Sequence, residues 1–167
     1  MTCAVYQAIR EFKDGSAADL DRALTETMQL FGRRYPGRRY GGYFKRWIFS
    51  GAPRPYNSFG NGAAMRVSAA GFLAESLEEA RALARSSAGV THNHPEGIKG
   101  AVATAEGIFL ARGGASLAEI RSALSAYYDL DFTLDAIRPD YEFDVTCQGT
   151  VPQAIVAFLE SEGFEIG

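Results

Sequence analysis

The chain has 167 residues, of which 47% are hydrophobic and 22% are charged, and its formal net charge is −3. This length and composition predict one domain with a sizeable core and exclude a disordered chain. The net negative charge argues against a general binder of nucleic acid or anionic membranes. We expect no membrane span, because no apolar run approaches the roughly 18 residues that one requires. The absence of a signal-peptide pattern and the two cysteines without metal-like spacing, Cys3 and Cys147, favour a reducing cytoplasm.

The first third of the chain predicts two helices followed by a basic, aromatic stretch. Apolar side chains recur at helical spacing in residues 2–12, and Ser16 caps a second helix that extends to about Phe31. Residues 33–46 interleave arginine and lysine with tyrosine and phenylalanine, a pattern that is typical of nucleic-acid contact. The alternative is a loop whose rings pack inward while its cations remain solvated. The acidic character of the whole chain favours this alternative, with steering of phosphate ligands as a modest further role.

Residues 56–66 form the stretch on which the functional interpretation depends. Gly60 and Gly62 flank Asn61, so the backbone can reach positive φ and approach a ligand closely. A helix is predicted to start directly after the turn and to extend to about residue 71. The turn should therefore present several unpaired N–H groups that are aligned with the helix dipole and suited to a phosphate. Ser58 adds a hydroxyl donor, and Phe59 offers a flat face for a base or ribose. The alternative is a turn that only caps the helix.

The remainder of the chain predicts further helices and no strand. Capping patterns open helices at Ser76 and Ser116, a short helical turn covers residues 134–137, and a last helix runs from Thr150 to about Ser161. The helix that follows Asn93 is rich in glycine and alanine, which suits a helix at the centre of a bundle. We therefore predict an all-α fold, a compact multi-helix bundle that forms a single domain over residues 1–167.

His92 and His94 are the only histidines, and with Glu96 they form a His-x-His-x-Glu pattern. In an extended segment this pattern could hold a metal ion, but the helix start at Pro95 disrupts the shared face. Two interpretations stay open: a histidine that donates or accepts a hydrogen bond at a ribose hydroxyl beside the phosphate turn, or a pair that serves only capping and the core. No acid pair or nucleophile–base context stands out, and Cys147 is expected to be a buried structural thiol.

Three segments of the sequence closely resemble the ADP-ribosylglycohydrolase family. They are residues 57–68 (NSFGNGAAMRVS), residues 91–100 (THNHPEGIKG) and residues 138–152, the last being similar to bacterial members. The likeness covers nearly the whole chain. It implies an all-helical fold that removes ADP-ribose from modified proteins or small molecules with two magnesium ions. It also implies that the 58–62 turn holds the diphosphate, that Phe59 lies near the nucleotide and that His92 contacts the ribose beside the cleaved bond. The substrate-binding residues implied are Ser58, Phe59, Gly60, Asn61, Gly62 and His92.

The family's magnesium ligands belong to two acidic segments. One resembles Thr-Asp-Asp-Thr and precedes the helix that corresponds to residues 2–12, and the other resembles Gly-Gly-Asp-Ser-Asp-Thr near the C-terminus. Neither is present in this sequence, so we expect a domain with an incomplete core, truncated at both ends. Without these carboxylates we expect no metal site, no cofactor and no catalytic residue in this chain alone. We expect the protein to bind ADP-ribose or a related nucleotide, or to recognise an ADP-ribosylated protein. We expect it to bind neither a membrane nor nucleic acid.

Two alternatives remain. The first is an active hydrolase whose dinuclear magnesium site is completed by another chain or built from acids such as Asp140, Asp144 and Glu96. The second is a structural helical fragment without a ligand, whose exposed apolar faces would be covered in a homo-oligomer.

Overall fold

The computed structural model describes residues 1–161, and this part of the chain folds into ten helices. The helices are α1 (Thr2–Phe12), α2 (Ala17–Arg34), α3 (Gly42–Phe49), α4 (Gly62–Arg66), α5 (Ser68–Leu73), α6 (Leu77–Gly89), α7 (Pro95–Arg112), α8 (Leu117–Leu124), α9 (Leu134–Ile137) and α10 (Val151–Glu160). The only β pairing within residues 1–161 is an isolated antiparallel bridge between Gly60 and Thr146. The predicted all-α fold is confirmed. Residues 162–167 of the predicted domain lie outside the described part.

The central element is α7, which packs against α4, α5, α6, α8 and α10. Small residues on α7 and on its neighbours allow this close packing. A Cβ added to Gly100 of α7 would lie 2.9 Å from Cys147 Cβ, and one added to Gly71 of α5 would lie 2.6 Å from the backbone oxygen of Ala105 in α7. The apolar core lies on both sides of α7, one cluster with α1, α2 and α6 and the other with α8 and α10. This arrangement places the N-terminus of α7 beside the 56–62 turn.

Within residues 33–46, for which the sequence predicts a loop, residues 35–41 are non-helical, but helix α3 begins at Gly42. It has no side-chain cap, so local signals for it are weak. Its stability comes from α2: Gly32 leaves room for Ile48, whose Cδ1 would lie 2.7 Å from a Cβ at that glycine. Gln29 donates to the carbonyl oxygen of Trp47 at 2.9 Å, and Arg33 donates to that of Ile48 at 2.9 Å. Tertiary contacts therefore form a helix that propensity and capping do not indicate.

The helix predicted from about residue 63 to residue 71 is divided in two. Helix α4 has only five residues and ends at Arg66, and α5 begins at Ser68. The Val67 N–H bonds to the Ala64 oxygen, three residues back, and this tight turn changes the direction of the chain. Among the helices of residues 1–161, none is long and apolar enough to cross a membrane.

Candidate functional site

A cavity of about 690 Å³ lies over the 58–62 turn. Its walls come from the start of α1, from residues 38–44, from Tyr56 and the turn, and from His92. Five of the six predicted substrate-binding residues line it: Ser58, Gly60, Asn61, Gly62 and His92. The tertiary structure thus brings together two motifs that are about thirty residues apart in the sequence.

Phe59 does not line this cavity. Side chains in an extended segment point alternately to opposite sides, so Ser58 and Gly60 face the cavity while Phe59 faces away. Its ring is 45% exposed and makes an edge contact with His94, with the ring centroids 5.4 Å apart. The assignment of Phe59 to the nucleotide stays a prediction, and the structure places the ring on the other side of the turn.

The backbone of the turn differs from the expectation of positive φ at its glycines. Neither Gly60 nor Gly62 adopts positive φ; Asn57 does, with a φ of 53°. Asparagine tolerates this left-handed conformation better than most residues with a side chain. The Asn57 N–H donates to the side-chain oxygen of Asn93 at 2.7 Å, so the α7 entry holds the conformation in place.

The His92 imidazole lies against the two glycines of the turn. A Cβ added to Gly60 would lie 3.7 Å from His92 Nε2, and one added to Gly62 would lie 3.4 Å from the same atom. These are ordinary van der Waals distances, so an alanine at either position would not collide with the ring. The tighter contact is inside the turn, where a Cβ at Gly60 would approach Ser58 Oγ to 3.2 Å. The imidazole and the turn together line one part of the cavity.

Fewer backbone donors are free in the turn than the sequence predicts. The Gly60 N–H donates to Ser58 Oγ at 3.1 Å, and the Asn61 N–H donates to the Val145 oxygen at 2.8 Å. Within residues 1–161 the N–H groups of Gly62 and Ala63 have no hydrogen-bond acceptor, but Ala63 is fully buried and only Gly62 lines the cavity. A helix as short as α4 also adds little dipole. The turn therefore offers one backbone donor rather than a full phosphate loop.

The loop that carries Cys147 supports the turn from below. The Cys147 N–H donates to the Phe59 oxygen at 2.9 Å, and its thiol donates to the Gly60 oxygen at 3.3 Å. The Asn61 side chain donates to Thr150 Oγ1 at 3.2 Å, which ties the turn to the start of α10. Burial, together with the nearby Glu96 carboxylate, raises the pKa of the Cys147 thiol to about 11. Cys147 is a buried, protonated structural residue, as predicted.

His92 is 5% exposed, and the Thr91 hydroxyl holds its ring. Thr91 Oγ1 lies 2.7 Å from His92 Nδ1, and the Tyr56 ring lies against the imidazole with 5.8 Å between centroids. Burial, aided by the positive charge of Arg66, lowers the pKa of His92 to about 3. The ring is therefore neutral near pH 7, and in either tautomer its Nε2 can form one hydrogen bond with a ligand in the cavity.

Arg66 is a site residue that the sequence reasoning missed. Its side chain is 3% exposed and lines the cavity, although arginine is rarely buried. It donates to Thr91 Oγ1 at 2.6 Å and to the Ser87 oxygen at 3.0 Å, and within residues 1–161 no carboxylate pairs with it. Burial lowers the pKa of Arg66 to about 10, so the guanidinium remains charged near pH 7. The only signal for it was its place in the motif, at the end of GNGAAMR.

His92, His94 and Glu96 do not converge on a metal site. His94 caps α7, where its Nδ1 accepts from the Glu96 N–H at 3.1 Å, and Glu96 pairs with Lys99 at 2.8 Å. Asp144 accepts from the Thr146 N–H at 2.6 Å, which lowers the pKa of its carboxyl group. In the part of the chain that the structure describes, no three residues among histidine, cysteine, aspartate and glutamate could hold a metal ion.

Magnesium requires oxygen ligands, usually with one or more carboxylates among them. Among residues 1–161, no aspartate or glutamate lines the cavity. The donor set of the described residues therefore does not fit the pair of magnesium ions that the resemblance implies.

Comparison with known proteins identifies a family. A search of curated proteins finds no match to the chain. The family model described as ADP-ribosylglycohydrolase matches residues 1–165. This span includes both the turn and the His92 motif that line the cavity. With nearly its whole length matched, the chain belongs to the ADP-ribosylglycohydrolase family.

Proposed function

We propose that the protein binds ADP-ribose or a related nucleoside diphosphate in the cavity over the 58–62 turn. The observation that carries the proposal is the lining of this cavity, which joins the predicted residues to Arg38, Arg39 and Arg66 and includes no acid from the described part of the chain. Its volume of about 690 Å³ is within the range of roughly 300–1,000 Å³ that is usual for small-molecule sites. A cationic, acid-free cavity in a chain of net charge −3 favours an anionic ligand.

Each group in the cavity has a role in this proposal. The N–H group of Gly62 donates to a phosphate oxygen, and the positive charges of Arg38 and Arg39 stabilise the diphosphate at the rim. His92 forms a hydrogen bond with a ribose hydroxyl through Nε2. The neutral state of the ring matters because it allows His92 to accept as well as to donate.

We further propose that the described residues do not catalyse magnesium-dependent hydrolysis by themselves. Such a reaction needs carboxylates that fix the ions and the attacking water, and no acid within residues 1–161 lines the cavity. The protein then acts by sequestering a nucleotide or by recognising an ADP-ribosylated protein. We place it in the cytoplasm because both of its cysteines, Cys3 and Cys147, are free thiols.

Titration calorimetry with ADP-ribose tests the binding proposal. The two histidines provide a matched pair of variants, since only His92 lines the cavity. We expect His92→Asn to weaken binding about tenfold, the effect of losing one well-formed hydrogen bond. We expect His94→Asn, which keeps a side chain able to cap α7, to bind as the wild type does. Absence of heat with millimolar ADP-ribose, or equal losses in the two variants, would reject the proposal.

The second candidate function is an active hydrolase whose metal site is completed by another chain. Met1 and Thr2 line the cavity, and this observation favours it. An acidic segment of another chain that docked beside the start of α1 would face the bound ligand. Release of ADP-ribose from a modified peptide, dependent on both magnesium and an added protein fraction, would support this function. No release across a range of pH values and divalent metals would exclude it.

A further inference from the structure

Positive charge is concentrated in one part of this acidic chain. Eight of the 17 lysine and arginine residues fall between residues 27 and 74, and no aspartate or glutamate occurs there. The rest of the sequence carries all 20 acids. The net charge of −3 therefore hides a strongly basic segment, and an average over the chain is a poor guide to what that segment binds.

These cations are available at the surface. Seven of the eight are exposed, and Arg66 is the buried exception. The ion pairs found among residues 1–161 involve Lys13, Arg22, Arg81, Lys99 and Arg138, and none involves this segment. Unpaired exposed arginines that gather in one segment fit a partner with repeated negative charge.

The loop interpretation requires the aromatic rings of the segment to pack inward, and some of them do not. Tyr40, Phe44 and Trp47 do pack against the core, but Tyr43 is 67% exposed and Tyr35 is 42% exposed. The Arg46 guanidinium lies over the Tyr43 ring at 4.6 Å, and those of Arg34 and Arg38 lie over Tyr35 at 5.8 and 5.9 Å. Exposed rings next to arginines provide faces on which unpaired bases stack.

Tyr43 and Tyr56 form a wall between two concave sites. Their rings are stacked, with centroids 5.9 Å apart and an angle of 16° between the planes. On one side is the large cavity with Arg38 and Arg39; on the other is a shallow pocket of about 200 Å³. Arginine, tryptophan and serine side chains line this pocket, and no acid does: the residues are Arg46, Trp47, Ser50 and Arg54. Anionic groups can thus be held on both sides of a stacking platform.

We propose that the surface formed by Arg38, Arg39, Tyr43, Arg46, Arg54 and Tyr56, the arginine–tyrosine surface, binds single-stranded nucleic acid. The arginines contact successive phosphates, and the exposed Tyr43 ring stacks with a base when the Arg46 guanidinium, which lies over that ring, turns to a phosphate. A single strand fits better than a duplex because the bases of a duplex are already stacked and cannot reach Tyr43. The surface adjoins the nucleotide cavity, so a strand bound there would run next to any nucleoside diphosphate in the cavity.

Fluorescence anisotropy with a labelled oligothymidylate of twelve nucleotides in low salt tests the proposal. We expect Tyr43→Ala to weaken binding about tenfold through the lost stacking. Arg46→Ala and Arg54→Ala should each weaken it and reduce the slope of log K against log[salt] by about 0.7. Tyr6→Ala and Arg10→Ala are matched controls and should change neither quantity, since this pair, with 5.8 Å between guanidinium and ring, lines neither pocket.

Three results would overturn the proposal. One is no change in anisotropy at about 1 mM protein, beyond the weak end of non-specific nucleic-acid binding. Another is unchanged binding by Tyr43→Ala together with competition by inorganic polyphosphate as strong as that by unlabelled oligothymidylate, which would indicate a purely electrostatic surface. The third is an affinity for vesicles of anionic lipid equal to the affinity for oligothymidylate. The two proposals share Arg38, Arg39, Tyr43 and Tyr56, so the variants that distinguish them lie outside this overlap. Arg54 lines only the shallow pocket, so Arg54→Ala should leave ADP-ribose binding unchanged, and His92 lines only the large cavity, so His92→Asn should leave oligothymidylate binding unchanged.

Discussion

The substitution Thr91→Val tests how the cavity holds His92. Thr91 is fully buried, and valine has nearly the same shape, so the change removes little besides the hydroxyl. That hydroxyl lies 2.6 Å from Arg66 Nη2 and 2.7 Å from His92 Nδ1. Valine leaves His92 Nδ1 without its partner, whereas Arg66 Nη2 loses one hydrogen bond and keeps the one to the Ser87 oxygen. At about 1–3 kcal/mol for the unsatisfied Nδ1 and about 1 kcal/mol for the lost Arg66 hydrogen bond, we expect the free energy of unfolding to fall by about 2–4 kcal/mol.

The same change should weaken ligand binding. Without the contact to Nδ1, the imidazole of His92 can rotate, and its Nε2 is no longer held towards the cavity. Loss of one oriented hydrogen bond, worth about 1 kcal/mol, predicts an approximately fivefold increase in the Kd for ADP-ribose. Because this effect acts through His92, Thr91→Val should cause no additional loss of affinity in a His92→Asn background.

Urea denaturation and titration calorimetry on the same preparations measure both effects. Thr91→Ser is the matched control: it keeps the hydroxyl and loses one methyl group, which costs about 0.8 kcal/mol. Circular dichroism verifies that each variant is folded before titration. Equal unfolding free energies for the valine and serine variants would refute the reasoning. An unchanged Kd for Thr91→Val in a protein that binds ADP-ribose would show that Thr91 does not position the ring.

Two further predictions concern His92 and the entry to α7. The pKa of His92 is about 3 in the folded chain and about 6.5 in the unfolded chain. The neutral ring therefore stabilises the fold fully above pH 6.5, and this contribution is lost as the pH falls. In urea denaturation between pH 7.5 and pH 5, the free energy of unfolding of the wild type should fall by about 2 kcal/mol more than that of His92→Asn. Equal losses would mean that His92 protonates in the folded protein. Gly97→Ala should destabilise the fold by about 1–3 kcal/mol, because its Cβ would lie 2.6 Å from the Ser58 oxygen. The control is Gly89→Ala, whose added Cβ would have no atom of the described residues within 4 Å; this variant should not be destabilised. Thermal unfolding of the two variants compares them, and similar losses of stability would contradict the packing argument.

Most helices could be predicted from the sequence because their signals are local. Apolar spacing predicted α1 with both of its ends, and Ser16 and Ser76 accept the hydrogen bonds from Asp19 and Glu79 that the capping patterns indicate. The small residues of α7 also indicated its central position. Capping and periodicity act within one or two turns, so a single sequence contains enough information for these elements.

The candidate site could be predicted only in part. The motif identified Ser58, Gly60, Asn61, Gly62 and His92, all of which line the cavity. It did not indicate that Phe59 points away, since that depends on how the extended segment pairs with the loop near Cys147. The family was recognisable from the ordered motifs, and the match over residues 1–165 confirms it.

Tertiary contacts decided the remaining features. Helix α3 is stabilised because Gly32 leaves space for the Ile48 side chain. The left-handed conformation of Asn57 depends on a hydrogen bond to the Asn93 side chain. The burial of Arg66 depends on the Ser87 oxygen and the Thr91 hydroxyl, which accept its hydrogen bonds only in the folded chain. The sequence by itself determined where helices begin and which motifs occur, because these depend on neighbouring residues. Only the folded chain decided which polar groups face the cavity and in what charge state, because burial and charge there are set by residues distant in the sequence.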